Sequence, residues 1–577
     1  MHVSHSIINQ KIMYTTIGMI GIWIIIVVRL IYLQVYCGDY FASRSQKNFI
    51  RYTSTNSARG NIKDVHGNLL ATNRPVTTIY WQGSGKSNLS EQQLELLHMI
   101  ESNSGITLTS GDIFTAVLSH EKRGKKTVLI RDIDFATLSK LVETFPNHEN
   151  IIIDTHFKRF YPYNACCSHL VGYLGNIGAL TQGQFGLEKL CDENLSGKNG
   201  SIRNVVNSVG QCISHIELEK ALIGNDIQTT INIDLQLLCE KVFPEKRSGS
   251  FILLNPADGA IVSLVSRPDF DPNMFLNPIS YEAWQELQEN NPFLNRAFDA
   301  SYPAGSIFKL VTISAALETG LIPEDSLWNC KGYTLFGKRK YWCARRSGHG
   351  EISIKKAVAQ SCNTLFFEIA KKIDIDVLAD YAYKFGLGKK TNIIFPEKIG
   401  LIPSRDWKFD VKGERWWPGE TLSVAIGQSF LLVTPIQVAC MIASIFTGYL
   451  VSPRLLVNES VVTTPLDIKP ETISFLQKSM KSVVKRGTGR SVRHVKDMTI
   501  YAKTSTAQTS DFSKRKLDEK YLEHGLFVGH FQYKDYDPLV IVVLVERVGA
   551  AQVATTIAKN FLLEYKKYID DNVGKNT

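Results

Sequence analysis

Residues 303–317 read PAGSIFKLVTISAAL, and this stretch decides the fold of the larger part of the chain. Pro303-Ala304-Gly305 is a turn signal, and the apolar residues after Ser306 recur at helical spacing. The sequence therefore predicts a helix with Ser306 at its N-terminus, where backbone amides and the helix dipole favour a developing negative charge. Lys309 follows three residues later, so we expect its amine on the helix face that carries the Ser306 hydroxyl.

Two more short motifs follow in order, Ser361-Cys362-Asn363 and Lys503-Thr504-Ser505. A serine hydroxyl is a poor nucleophile at neutral pH, so it needs a neighbouring base and a pocket for the oxyanion. Lys309 is the candidate base, provided that burial beside a second cation such as Lys503 lowers its pKa. The serine and the asparagine of the first motif would relay the proton and hold the substrate. Together the motifs indicate a serine acyl-transfer site.

The whole chain has an ordinary globular composition. Its 577 residues, 44% hydrophobic and 21% charged, are enough for two or three domains. The excess of 65 Lys and Arg over 55 Asp and Glu is mild and compatible with an anionic membrane surface. No arginine-rich run or zinc finger argues for nucleic acid, so we expect no nucleic-acid partner. Residues 486–490, RGTGR, lack the spacing of a P-loop and are interpreted as a loop.

An apolar segment lies near the N-terminus. Residues 13–28 are almost uncharged, and the apolar pattern continues to residue 35, about the ~20 residues that span a bilayer. A cleaved signal peptide and a lipoprotein signal are the alternatives, but no small-x-small site follows promptly, and Tyr36 is too bulky for lipoprotein processing at Cys37. The sequence predicts a tail over 1–11 and an uncleaved transmembrane anchor over 12–35.

The remaining patterns predict an α+β fold. Helical patterns dominate from 307 to 446, whereas strand patterns occur on both sides of this region, at 227–231, 251–254, 260–265, 498–502, 526–531 and 539–546. A helix is expected over 555–568. Strands from both ends around a helical middle indicate one antiparallel sheet packed by helices.

The three motifs in this order resemble the penicilloyl-serine transferase fold, and the rest of the chain resembles class B penicillin-binding proteins. Residues 59–64, 66–73 and 186–189 match the family's pedestal, an elongated α+β domain between the membrane and the transpeptidase. The resemblance implies a pedestal over 45–230 and a transpeptidase domain over 235–569. Residues 293–309, 349–350, 417–421 and 426–428 are most similar to the elongation-specific member, penicillin-binding protein 2.

By that resemblance the enzyme cross-links peptidoglycan stem peptides during elongation, binds β-lactams, and has a possible D,D-carboxypeptidase side activity. Ser306 would attack the carbonyl of the penultimate D-alanine and pass the acyl group to an amine of a neighbouring stem peptide. The matching positions imply these roles: Lys309 as base, Ser361 and Asn363 as proton relay and substrate contact, Lys503 and Thr504 in carboxylate recognition, and the backbone amides of Ser306 and Thr506 as the oxyanion hole.

The resemblance also implies partners and location. No glycosyltransferase domain precedes the pedestal, so a SEDS-family polymerase and other proteins of the elongation complex are the expected partners. The expected location is the bacterial inner membrane, with a single pass and the catalytic domain in the periplasm. The positive-inside rule alone does not give this orientation, since Lys11 is the only strong charge before the span.

Two serines depart from the family pattern. Ser505 stands where the family usually has glycine on the strand that lines the cleft, so we expect it to contact substrate and to narrow the cleft. Ser429 replaces another frequent glycine and is a milder departure. A catalytically silent scaffold, with Ser505 as the sign of a decayed site, is one alternative. A serine β-lactamase or β-lactam sensor of the same fold is the alternative among enzymes.

A second constellation consists of Cys330, Cys343, His349 and Cys362. Three thiolates and one imidazole form a closed tetrahedral set, the usual composition of structural zinc, and several penicillin-binding proteins 2 look similar here. A disulfide between Cys330 and Cys343 and a group of unrelated buried thiols remain as alternatives. The ten cysteines of the chain are too ordinary a number to decide.

Overall fold

A computed structural model describes residues 3–55, 57–144, 148–177, 180–206, 212–277, 279–508, 518 and 521–573. Contacts divide the chain into two units. The first comprises Met1–Arg59, Asn73–Lys158 and Ser196–Gly224, and the second comprises Gly60–Thr72, Arg159–Leu195 and Asn225–Thr577.

The first unit begins with α1 (Val3–Ile31), a π-helical turn (Tyr32–Tyr36) and α2 (Gly38–Phe49). The 30-residue helical segment Ile7–Tyr36 contains an 18-residue window with a mean hydropathy of 2.3, and none of that window is buried against protein. This helix is long and apolar enough to cross a membrane once. It contains the predicted span over 12–35 and already begins within the predicted tail.

The chain up to residue 219 then alternates short strands and helices. In order these are β1 (Ile50–Thr55), β2 (Ile62–Lys63), β3 (Leu69–Gln82), α3 (Glu91–Ser104), α4 (Gly111–Lys122), β4 (Lys126–Ile133), α5 (Phe135–Thr144), β5 (Ile151–Phe160), α6 (Ser168–Val171), β6 (Leu174–Ile177), β7 (Leu180–Gly183), α7 (Gly186–Leu190), α8 (Asp192–Ser196), β8 (Gly200–Val206) and β9 (Cys212–Glu219). Within the first unit, β1, β8 and β9 form an antiparallel sheet.

The second unit carries most of the remaining elements. In order these are β10 (Ile227–Gln228), α9 (Ile233–Val242), β11 (Gly249–Leu254), β12 (Ile261–Arg267), α10 (Tyr281–Glu289), α11 (Lys309–Glu318), β13 (Leu327–Cys330), β14 (Tyr333–Phe336), β15 (Arg339–Trp342), β16 (Gly350–Ser353), α12 (Ile354–Ala359), α13 (Asn363–Ala370), α14 (Ile375–Lys384), α15 (Arg405–Lys412), α16 (Pro418–Val424), α17 (Pro435–Thr447), β17 (Tyr449–Val451), β18 (Thr463–Pro465), α18 (Pro470–Arg486), β19 (Met498–Ala507), β20 (His524–Tyr533), β21 (Leu539–Val545) and α19 (Gln552–Val573). Short 3-10 turns occur at Pro272–Leu276, Gly305–Ile307 and Arg490–His494.

One antiparallel sheet of the order β12-β11-β21-β20-β19 organises this unit and confirms the predicted α+β class. Its middle strand, β21, reads LVIVVLV and is buried along its whole length. Alternate residues of a strand point to opposite faces, so β21 contributes to two hydrophobic cores. The core on one face includes Val540 and α11, and the core on the other includes Ile541 and α19.

The prediction that residues 307–446 are mainly helical is wrong in one part. Residues 327–353 form two two-stranded sheets, β13 with β16 and β14 with β15, between α11 and α12. Aromatic residues in both strands of the β14–β15 pair, and a turn containing Gly337 with φ 56, favour this hairpin. Tyr341 packs against Phe367 of α13, with ring centroids 5.5 Å apart.

Candidate active site

Ser306 lies in the 3-10 turn Gly305–Ile307, one turn before α11 begins at Lys309. The turn is held on the other side by Gly427, whose carbonyl oxygen accepts a hydrogen bond of 2.8 Å from the Gly305 amide. Gly305 has φ 52, and a Cβ atom there would overlap Ser505 and the Thr506 carbonyl. Glycine is therefore required immediately before the serine, because both the backbone conformation and the available space exclude a side chain.

The Ser306 hydroxyl is connected to Lys309 through a third residue. Ser361 Oγ lies 2.7 Å from Ser306 Oγ, and Lys309 Nζ lies 3.0 Å from Ser361 Oγ. Ser361 thus lies between the two residues, in the position that the predicted proton relay requires. The 3-10 turn that holds Ser306 leads directly into α11 at Lys309, and side chains three residues apart share one face in such a turn.

Lys309 is completely buried and donates to three oxygen atoms. Besides Ser361 Oγ, these are Ser361 O at 3.0 Å and Asn363 Oδ1 at 2.6 Å. Burial lowers the pKa of Lys309 to about 8, because the low-dielectric interior disfavours the ammonium form. Lys503 is also fully buried, and burial followed by the charge of Lys309 lowers its pKa well below the usual range. The predicted lowering of the Lys309 pKa therefore has burial as its cause, and the influence of one lysine on the other is seen at Lys503.

Ser361 sits in the short connection between α12 and α13. Its backbone has φ 53, a conformation that a residue with a side chain seldom adopts. Hydrogen bonds from Ser361 N to Val358 O at 3.1 Å and from Cys362 N to Ala357 O at 2.9 Å hold this conformation. Strained residues of this kind are concentrated at functional sites, and here the strain aims the Ser361 hydroxyl between Ser306 and both lysines.

Strand β19 brings the third motif to the same place. Lys503 Nζ lies 3.4 Å from Ser361 Oγ and 3.0 Å from Thr504 O. Thr504 Oγ1 lies 2.5 Å from Thr488 Oγ1, which belongs to the 486–490 segment. Thr488 is a site residue that the sequence interpretation did not identify. The glycines on either side of it, which let a loop come close to neighbouring residues, are the signal that could have indicated it.

Ser505 points away from the open side of the cleft. Its side chain is only 2% exposed, and its hydroxyl donates a hydrogen bond of 2.9 Å to the carbonyl oxygen of Ala304. The sequence predicts that this hydroxymethyl group contacts substrate. The structure instead places it beneath the nucleophile turn. Ser429 has φ 69, so a glycine at this position would relieve backbone strain.

The predicted oxyanion-hole residues occupy neighbouring elements. Ser306 is on the nucleophile turn, and Thr506 is on β19, three residues after Lys503. The Thr506 hydroxyl accepts a hydrogen bond of 3.2 Å from the Ala551 amide, and its carbonyl accepts one of 3.5 Å from Gln428 Nε2. These contacts fix the end of β19 beside Ser306, and the oxyanion role of the two amides stays a prediction.

The four candidate metal ligands come together beside the relay. One ligand atom each from Cys330, Cys343, His349 and Cys362 lie within 4.8 Å of one another, and the ten cysteines are free thiols. Cys343 Sγ lies 3.9 Å from Cys362 Sγ and 3.6 Å from His349 Nδ1. A hydrogen bond from Cys362 lowers the pKa of the Cys343 thiol well below its usual range. The backbone N–H of Asn363 also donates a hydrogen bond of 3.4 Å to Cys343 Sγ, which links this cluster to the catalytic loop.

A nucleophile turn, a serine relay and a buried lysine on an antiparallel sheet define the class of active-site-serine acyltransferases. Within that class the chain belongs to the penicillin-binding proteins. Residues 249–563 match the penicillin-binding protein transpeptidase domain, and residues 54–229 match the penicillin-binding protein dimerisation domain.

Individual relatives agree with this assignment and with the resemblance to penicillin-binding protein 2. The peptidoglycan D,D-transpeptidase MrdA of Acinetobacter baumannii is 29% identical, covering 96% of this chain and 88% of the relative. MrdA of Escherichia coli is 26% identical, covering 96% and 93%. The structure of PBP2 of Helicobacter pylori in complex with MreC has a TM-score of 0.76 at 25% identity, covering 90% and 99%. A structure described as a peptidoglycan synthase complex coordinating polymerization and crosslinking has a TM-score of 0.76 at 28% identity, covering 96% and 97%.

Proposed function

We propose that the protein is the peptidoglycan D,D-transpeptidase of cell elongation, with Ser306 as the acylated nucleophile. The observation that carries the proposal is the hydrogen-bond chain from Lys309 through Ser361 to Ser306. A hydroxyl can donate and accept at once, so a proton can move along this chain in either direction. A neutral Lys309 can therefore accept the proton of Ser306 by way of Ser361.

The acylation step follows from this geometry. Ser306 Oγ forms a bond to the carbonyl carbon of the penultimate D-alanine while its proton passes through Ser361 to Lys309. The carbonyl oxygen becomes an oxyanion, for which the amides of Ser306 and Thr506 are the proposed donors. The C–N bond to the terminal D-alanine then breaks, and its amine takes the proton back. An ester on Ser306 remains.

Deacylation reverses the same transfers. The amine of a second stem peptide attacks the ester carbonyl, loses a proton through the relay, and forms the cross-link as Ser306 Oγ is protonated. Attack by water on the same ester would give the D,D-carboxypeptidase side reaction. Ser306 attacks the carbonyl carbon of a β-lactam in the same way, and the ring-opened antibiotic stays on Ser306 as the acyl group.

Substrate contacts are assigned to the residues around the relay. Lys503 and Thr504 would hold the terminal carboxylate, since an amine and a hydroxyl can both donate hydrogen bonds to an anionic oxygen. Asn363 would contact a peptide carbonyl through its amide nitrogen, which in the free protein donates to Trp342 O at 3.3 Å. Ser505 acts indirectly, by supporting the turn that carries Ser306.

Structural zinc is proposed for the cluster of Cys330, Cys343, His349 and Cys362. The sulfur separation of 3.9 Å between Cys343 and Cys362 fits a shared ion, since two Zn–S bonds of about 2.3 Å in tetrahedral geometry place the sulfurs about 3.8 Å apart. A bound zinc ion would stabilise the thiolates. It would also tie the segment around β14 and β15 to the loop with Ser361 and Asn363, which adds folding free energy at the catalytic loop.

The N-terminal helix is the proposed single-pass anchor in the inner membrane, with the transpeptidase unit in the periplasm, where peptidoglycan is assembled. Elongation-complex proteins are the proposed partners. The likeness to PBP2 in complex with MreC and to a peptidoglycan synthase complex supports them. A SEDS-family glycosyltransferase would supply the glycan strands.

Labelling with a reporter penicillin tests the proposed activity. The wild-type protein should form one covalent adduct, and peptide mapping should place it on Ser306. Ser306→Ala should stay folded and membrane bound without forming the adduct. Ser314→Ala is a matched control, since Ser314 is buried on α11, directly after the nucleophile turn, and its hydroxyl donates to Leu310 O. Stoichiometric labelling of Ser306→Ala would rule out the assignment.

A further inference from the structure

Residues 331–346, here called the basic hairpin, carry an uncompensated positive charge at the edge of the active site. The segment reads KGYTLFGKRKYWCARR and contains six basic residues and no Asp or Glu. All six are exposed, and within the described chain none of them forms an ion pair with a carboxylate. Glu368, which contacts the hairpin through Thr334, also binds Lys371 at 2.6 Å.

One face of the hairpin combines these cations with aromatic rings. Tyr333 pairs with Trp342 across the two strands, and both side chains are partly exposed on the face that also carries Lys340. Lys340 Nζ lies 4.8 Å from the centre of the Tyr333 ring, and the Arg346 guanidinium lies 5.3 Å from that of Trp342. Cation–π contacts hold both charges in place without neutralising them. The charges therefore remain available to an anion.

The hairpin adjoins the catalytic residues directly. The Trp342 carbonyl accepts the hydrogen bond from Asn363, whose other side-chain atom contacts Lys309. The Trp342 backbone therefore borders the catalytic residues, and Lys340 and Arg346 lie two and four residues from it along the chain. The terminal carboxylate, by contrast, is assigned to Lys503 and Thr504 on β19.

We propose that the basic hairpin is a second anion-binding site, which recognises free carboxylates of the stem peptide away from the scissile bond. The inference rests on the proposed transpeptidase function and adds a substrate preference to it. Arginine and lysine both form charge-assisted hydrogen bonds with carboxylates, and the aromatic rings offer an apolar surface to the peptide backbone between them. Amidated stem peptides, which lack these charges, bind less tightly.

The test compares two synthetic pentapeptides that end in D-Ala-D-Ala, one with free side carboxylates and one with the same groups amidated. Their inhibition constants against reporter-penicillin labelling are measured for the full chain, so turnover is not needed. Wild-type protein should bind the acidic peptide about tenfold more tightly, as expected for two exposed charge pairs. Added salt should reduce this ratio.

The double variant Lys340→Gln, Arg346→Gln should bring the ratio of the two inhibition constants close to one. The matched control is Lys389→Gln, Lys390→Gln, because Lys389 is also exposed and lies 5.4 Å from a tyrosine ring, and it should keep the wild-type ratio. Taking the ratio within each protein cancels any general effect on labelling.

Three results would overturn the inference: equal binding of the two peptides to wild type, failure of both to compete, or an unchanged ratio in the hairpin variant. Loss of binding to phosphatidylglycerol vesicles in that variant, with the peptide ratio retained, would assign the charges to a lipid surface instead. Absence of penicillin labelling in wild type would instead refute the proposed function.

Discussion

The hydroxyl of Ser505 donates a hydrogen bond of 2.9 Å to the carbonyl oxygen of Ala304, two residues before the nucleophile. The bond joins the third catalytic motif to the first, from strand β19 to the turn that carries Ser306. A glycine at position 505 could approach the turn as closely but could not make this bond. Serine in place of the family's usual glycine therefore adds a hydrogen bond between β19 and the nucleophile turn.

We expect Ser505→Gly to lower both stability and acylation. Loss of this buried hydrogen bond should cost about 1 kcal/mol of unfolding free energy, while the Ala304 carbonyl oxygen keeps its bond of 3.3 Å from the Ile307 amide. The looser turn should slow acylation by a reporter penicillin several-fold, whereas binding of the antibiotic before acylation should change less. Stopped-flow labelling separates the two quantities, and an unchanged acylation rate across several β-lactam classes would contradict the supporting role.

Gly305→Ala should be far more damaging alone than in combination with Ser505→Gly. A Cβ at residue 305 would overlap the Ser505 hydroxyl, and removing that hydroxyl relieves one of the two overlaps. The positive φ of Gly305 remains unfavourable in both backgrounds, so rescue should be partial. Thermal unfolding of the four proteins in a double-mutant cycle measures the coupling, and strict additivity would argue against shared space.

Acylation should become faster as the pH rises through about 8. Burial lowers the pKa of Lys309 to about 8, and only its neutral form can accept the proton from Ser361. About a tenth of the lysine is neutral at pH 7 and about nine tenths at pH 9, so the second-order acylation rate should rise about tenfold. Rates measured with a penicillin that is stable over this range give the profile. A flat profile between pH 6.5 and 9 would assign the base elsewhere.

Removing one ligand from the cysteine cluster should remove zinc and loosen the catalytic loop. Elemental analysis should find about one zinc ion per wild-type chain and much less in Cys343→Ser and Cys362→Ser. Both variants should unfold at lower temperature, because a structural metal contributes directly to folding free energy. Cys212→Ser is the control, since Cys212 is exposed on β9. Metal-free wild-type protein with a Cys330–Cys343 disulfide would establish the alternative.

Glu188→Gln should destabilise the protein strongly without touching the active site. Glu188 and Arg159 are almost completely buried and lie 2.7 Å apart, and Tyr161 also bonds to this carboxylate at 3.2 Å. Neutralising one partner leaves the other charge in a low-dielectric interior, which costs about 3 kcal/mol or more. Chemical denaturation measures this loss. The exposed Glu193 offers a control, because Glu193→Gln should change stability by less than about 0.5 kcal/mol.

The sequence was sufficient for the sheet and for the residues of the relay. Strand β21 could be predicted because a run of seven apolar residues is typical of a strand buried on both faces. Ser306, Lys309, Ser361 and Lys503 could be grouped because the chemistry requires a nucleophile, a base and a second cation. Motif order then indicated that they meet in space.

Other features depend on tertiary contacts that no local pattern reports. The 3-10 turn at Ser306 follows from the approach of Gly427 to Gly305, which are far apart in sequence. The direction of the Ser505 side chain depends on which face of β19 meets the nucleophile turn. The β14–β15 hairpin was not predicted because it lies within a region of strong helical patterns. Its positive charge bears on the active site because the Trp342 carbonyl contacts Asn363.

The space shared by residues 305 and 505 also limits how this enzyme can evolve under antibiotic selection. A residue larger than serine at position 505 would push on the backbone that carries the nucleophile, and any side chain at 305 would do the same. Such changes damage cell-wall synthesis as much as they damage drug binding. Resistant lineages should therefore carry their substitutions elsewhere, on exposed surfaces around the cleft that can change without moving Ser306.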